Sequence, residues 1–200
     1  IWGFTAILGA LISITAIPLV WYRVLLAVAA LFIYFKWKKI SFKVSKEGLV
    51  RFFIGGVIIA IHWVTFFHAI KISNVSTTLV TMSTAAIFVA FFDPLINKRK
   101  ILKAEIILAG IAMVGFFIIF KVNQSYLAGI ISALISAVLI AFFSIFNGKN
   151  IQKYEATQIA FYELFFANLF LGLVILIQGD FNLEFFNLST NDWLYLLLLG

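Results

Sequence analysis

Cysteine is absent, and charge is scarce: only 12% of the 200 residues are Asp, Glu, Lys or Arg. Without cysteine there is no disulfide, no thiolate metal site and no thiol nucleophile. Histidine is nearly absent too. His62 and His68 lie six residues apart, about 120° around a helix axis, so they cannot ligate one metal from one face. We therefore expect no metal and no cofactor. The chain has no Gly-rich phosphate loop, no His-Glu-x-x-His and no Gly-x-Ser-x-Gly elbow, so no residue is assigned a catalytic role. What remains is apolar: 64% of the residues are hydrophobic, and the mean hydropathy is +1.13. A water-soluble fold of this size could not bury so much apolar surface, whereas a bilayer solvates it. The lipid bilayer is the first partner the composition implies.

Apolar runs between polar breaks give about eight spanning segments, at 1–15, 17–35, 49–70, 74–96, 103–121, 126–146, 157–178 and 193 onward. The fold class expected is an all-α polytopic membrane protein. The first and last runs begin or stop within apolar sequence, so a longer chain is expected.

The formal charge of +7 invites a nucleic-acid reading, but its distribution opposes one. Lys36, Lys38, Lys39, Lys43, Lys46 and Arg51 surround the link after the second segment. Lys98, Arg99, Lys100 and Lys103 surround the link after the fourth, and Lys149 and Lys153 follow the sixth. Only Arg23, Lys71 and Lys121 fall elsewhere. Basic residues collect on cytoplasmic links, so these alternate links are read as cytoplasmic, with the N-terminus on the same side. The long opposite link, 179–192, carries Asp180, Glu184 and Asp192 and no basic residue. Charge that marks one membrane side is not a nucleic-acid surface.

Small residues mark close helix approaches. Gly129, Ala133, Ala137 and Ala141 recur every fourth residue, a seam on which another helix can lie. Gly55-Gly56 in the third segment is either a packing site or a flexible point.

Ionisable and polar groups inside hydrocarbon are costly, so each is a site candidate. His62, followed by Trp63 and Phe66, either contacts solute or bonds a neighbouring backbone. Arg23, in Trp21-Tyr22-Arg23, either snorkels to the outer interface or clamps a carboxylate. Glu163 is a proton or cation site, or else is bonded at the inner interface. Thr77 and Thr81 belong to a hydroxyl stripe with Asn74, Thr78 and Thr84. That stripe either lines a wet cavity or packs with its hydroxyls on its own backbone. Asp93-Pro94 is expected to form an interfacial ion pair and to take no part in transport.

Trp21-Tyr22-Arg23-Val24-Leu25-Leu26-Ala27 and Phe161-Tyr162-Glu163-Leu164-Phe165-Phe166-Ala167 share a pattern: aromatic, Tyr, ion, three apolar residues, Ala. They stand five places apart in the order of segments, an odd number, so the second copy crosses the membrane in the opposite sense, as inverted repeats do. Further residues carry a family resemblance. They are Trp2-Gly3, Tyr22-Arg23 with Ala27, the stretch Phe66-Phe67-His68-Ala69-Ile70 through Ser73-Asn74-Val75-Ser76 and Thr77-Thr78-Leu79, and then Ile101 to Gly110 and Gly115. In their order and spacing, these residues resemble the EamA-type transporters of the drug/metabolite transporter superfamily. The family pattern often places Pro in the middle of the fourth segment, where Ala85 stands here, and Glu at its inner end, where Asn97-Lys98 stands.

The resemblance implies a ten-helix bundle of two inverted five-helix repeats, with 1–121 as the first and 126–200 as the available part of the second. It implies a secondary transporter working by alternating access, similar to exporters of amino acids and other small metabolites in the bacterial inner membrane. The solute-binding residues expected are His62, Trp63, Phe66, Thr77 and Thr81, with Trp2 and Tyr22 nearby and Arg23 and Glu163 as lesser candidates. Two rival readings are a membrane-embedded enzyme on a lipid-like substrate, with His62 as base, and a scaffold that transports nothing. Solute, coupling ion, direction of transport and oligomeric state are not legible.

Overall fold

The computed structural model describes residues 2–122 and 124–200, and every regular element among them is helical. In chain order these are α1 (Trp2–Leu11), α2 (Ala16–Lys38), α3 (Lys46–Ile72), α4 (Val75–Met82), α5 (Ala85–Asn97), α6 (Lys103–Val122), a 3₁₀ turn (Gln124–Tyr126), α7 (Leu127–Asn150), α8 (Ala156–Gln178), α9 (Leu183–Phe186) and α10 (Thr190–Leu199). Five spans are long and apolar enough to cross a bilayer: Ala16–Lys38, Lys46–Ile72, Val75–Asn97, Leu127–Asn150 and Ala156–Gln178. These make the chain an all-helical, multi-pass membrane protein. Of the other expected segments, α1 and α10 are ten-residue helices. Along α6, Ile106, Ile107, Leu108, Ile111, Val114, Phe117 and Ile118 are exposed over more than half of the helix circumference, while Glu105, Ala109, Ala112 and Phe116 form a half-buried stripe; so broad an apolar exposed face suits lipid and not water.

The helix ends explain where the chain turns. Ser45 and Asn74 cap α3 and α4 by accepting the N–H of Gly48 and Thr77, which satisfies donors left free in a first turn. α2 and α5 end at Lys39 (φ 53°) and Lys98 (φ 52°), both left-handed, so the chain reverses at basic residues. The expected ion pair at Asp93 is formed by Arg99, which also pairs with Glu105 and so ties the end of α5 to the start of α6.

α3 is the axis of the bundle and packs against both α7 and α8, while α8 also packs on α2. The expected small-residue seam faces α3. A Cβ at Gly129 would lie 2.5 Å from the Ser73 Cβ, and Ala133, Ala137 and Ala141 are fully buried. Gly56 serves the α3–α8 contact in the same way, because a Cβ there would lie 2.5 Å from the Glu163 carbonyl oxygen. Backbones that close gain dispersion contact that larger side chains would prevent.

The fourth segment departs from the sequence reading. It is not one continuous helix but α4 and α5, joined at Ser83-Thr84, with no proline at the joint. The Ser83 hydroxyl donates to the Val80 carbonyl at 2.7 Å, and the Thr84 hydroxyl donates to the Thr81 carbonyl at 2.6 Å. The backbone tightens with them: Thr84 N–H donates to Thr81 O, and Ile87 N–H to Thr84 O. Hydroxyls that occupy helix carbonyls bend the ladder.

Candidate functional site

His62 lies on the α7 side of α3. Its Nδ1 is 2.9 Å from the Ser136 carbonyl oxygen and 2.8 Å from the Ser136 hydroxyl, while that hydroxyl donates to the His62 carbonyl at 2.9 Å. A carbonyl can only accept, so Nδ1 carries the proton and the Nε2 lone pair is left for another donor. The Ser136 hydroxyl, committed to a backbone carbonyl, is not poised as a nucleophile. A second bond one turn away, from the Ser132 hydroxyl to Thr65 O at 2.8 Å, runs alongside.

Arg23 reaches inward from α2. Its guanidinium carbon lies 4.6 Å from the Trp63 ring centroid and 5.8 Å from that of Phe67. Its Nη1 is buried with no hydrogen-bond partner, and its charge is close enough to bear on His62. Phe66 stacks on His62, with centroids 6.3 Å apart, and packs edge-on against Phe67. Gly9 of α1 makes room for that layer, since a Cβ there would lie 2.2 Å from the Phe67 ring. One layer, buried at His62, Phe66 and Phe67 and half-buried at Arg23 and Trp63, therefore joins the five residues.

Four expected residues sit elsewhere or act differently. Thr77 and Thr81 are buried, but the Thr81 hydroxyl donates to the Thr77 carbonyl at 2.8 Å, so the stripe bonds its own backbone. The Tyr22 hydroxyl donates to the Phe185 carbonyl at 2.9 Å, and its ring stacks on Phe185. It braces the link after α8. Glu163 lies toward the opposite end of α3, against Gly55 and Asn147. The side chain of Trp2 lies outside the described residues.

The sequence reading missed Phe67 as a wall of the layer and Ser136 as the partner of His62. Their signals were present: an aromatic next to Phe66, and a serine flanking the small-residue seam. Among the described residues, no group of three or more acidic or histidine side chains could hold a metal.

The EamA-like transporter family model matches residues 1–121. Comparisons with curated proteins and with solved structures give no match. A match over more than half the chain, on a bundle of apolar helices, places the protein: it belongs to the EamA-like transporter family, within the drug/metabolite transporter superfamily, and is a multi-pass membrane transporter.

Proposed function

We propose that the protein is a secondary exporter of small metabolites bearing a carboxylate, amino acids among them, and that the Arg23–Trp63–His62 layer binds the solute. One observation carries this reading: a guanidinium stacked on an indole, with a buried Nη1 that has no partner among the described residues. A buried donor without an acceptor is costly, and a planar carboxylate is the acceptor whose geometry fits a guanidinium fork. The His62 Nε2 lone pair, close by, suits an ammonium or hydroxyl donor on the same solute.

Alternating access fits the pairing of α2 with α8. Arg23 lies about two turns, roughly 10 Å, from the start of α2, and Glu163 lies the same distance from the start of α8. The two helices run in opposite senses if the basic links share the cytoplasmic side. This supports an inverted repeat of 1–121 and 126–200, rocking about a site between them. On this reading the N-terminus is cytoplasmic and the membrane is the bacterial inner membrane.

The test is counterflow in proteoliposomes carrying the full-length protein, with radiolabelled neutral amino acids compared with their amides. Amino acids should exchange and amides should not. Arg23→Gln should weaken apparent affinity roughly 10- to 100-fold, the value of a charge-assisted bond. Equal carriage of acid and amide, or an unaffected Arg23→Gln variant, would refute the carboxylate assignment.

A further inference from the structure

A second buried ionisable group is left over by that site. Glu163 is 3% exposed and carries an Oε1 with no partner. Its Oε2 accepts from Asn147 Nδ2 at 2.8 Å, and Asn147 Oδ1 accepts from Asn150 Nδ2 at 3.1 Å. Asn150 is fully buried, and its Oδ1 is also unpartnered. The three side chains make a polar line through apolar helices. It runs from the end of α7, next to the basic link at Lys153, to the middle of the α3–α8 contact. Gly55 completes the pocket: a Cβ there would stand 2.2 Å from Oε1, so only glycine leaves room for the carboxyl head.

Among the described residues, no cation neutralises this carboxyl. On α3, Arg51 pairs with Glu47 at 3.0 Å, and His62 is held by Ser136 about two turns away. On α8 itself, the Tyr162 hydroxyl donates to the Phe42 carbonyl at 2.6 Å. On α2, Lys36 stacks over Phe32 and Phe42, and on α7 Lys149 is exposed. An isolated buried carboxylate is strongly disfavoured, so such a group takes a proton or a counter-ion. A metal cation needs several oxygens, yet Asn147 turns its amide N–H toward the carboxyl.

We propose that Glu163 is a proton-binding site, loaded by water that enters from the basic-link face alongside Asn150 and Asn147. The step is a proton transfer alone. Hydronium gives its proton to Oε1: one of its O–H bonds breaks, an O–H bond to Oε1 forms and water is left, and the proton returns to water as hydronium when the pocket opens. The proposal depends on the exporter reading only for its place in a transport cycle. Proton binding itself can be tested without any solute.

The experiment is pH-difference infrared spectroscopy of the full-length protein in lipid nanodiscs. Expected is the carbonyl band of a protonated, buried carboxyl, shifted in heavy water and titrating reversibly. It should be missing in Glu163→Gln and displaced but present in Glu163→Asp, which controls for folding. Identical spectra for wild type and Glu163→Gln would overturn the proposal. So would loss of the band at constant pH on replacing choline with sodium, which would make the site a cation site. Failure of amino-acid counterflow with this band intact would count against the exporter reading and not against Glu163.

Discussion

Tyr22 and Tyr162 make the same hydrogen bond at opposite ends of the bundle. Tyr22, on α2, donates to the Phe185 carbonyl in the link after α8, and Tyr162, on α8, donates to the Phe42 carbonyl in the link after α2. Each helix braces the link that leaves the other. The preceding aromatics follow suit: Trp21 meets Phe185 edge-on and Phe161 meets Phe42 edge-on, both with centroids 5.5 Å apart.

This exchange predicts that the two tyrosines act independently. Tyr22→Phe and Tyr162→Phe should each cost about 1 kcal/mol, the net value of one hydrogen bond. With no shared partner, the double substitution should cost close to the sum. Thermal unfolding in detergent measures all three. A double variant no worse than either single one would show that the two bonds are not separate braces.

Gly55 and Gly56 should reject a methyl group for different reasons. Gly55→Ala meets the Glu163 carboxyl, whereas Gly56→Ala meets the Glu163 backbone carbonyl. Each should destabilise by roughly 1–3 kcal/mol, as overpacking does. Adding Glu163→Ala should relieve the first and leave the second. At Gly110 and Gly115, where nothing lies within 4 Å, alanine should be neutral or stabilising by up to about 1 kcal/mol. Unfolding midpoints of the set decide. A Gly55→Ala defect that persists without the carboxyl would refute the contact.

The joint between α4 and α5 depends on hydroxyls, so Ser83→Ala combined with Thr84→Val should straighten the span. Spin labels placed outside the joint, at Ser76 and Leu95, should then report a longer and narrower distance distribution. An unchanged distribution would mean that packing against α7, and not the hydroxyls, sets the bend.

Much of the fold was legible because it rests on quantities that a single sequence carries. Basic residues on alternate links separated the apolar runs, and strict fourfold spacing from Gly129 to Ala141 identified the face that meets another helix. Arg23, His62 and Glu163 were legible as candidates because an ionisable group in an apolar span is costly wherever it points. What they touch was not legible. Whether Arg23 meets Trp63, and whether Glu163 meets Asn147, depends on how separate helices rotate against one another, which no local pattern encodes. The tyrosine bonds end on backbone carbonyls, one at Phe42 outside any helix and one at Phe185 in the short α9, and a backbone carbonyl carries no residue signature. The bend at Ser83-Thr84 escaped for another reason. Its residues were visible, but the same hydroxyls serve a straight helix equally well.

A proline break is permanent because the missing N–H and the ring are covalent. The joint at Ser83-Thr84 has neither defect: each residue keeps its N–H, and each hydroxyl can turn to another acceptor. Exchange among acceptors is side-chain rotation, fast at exposed Ser83, so nothing covalent holds the joint in its tightened form.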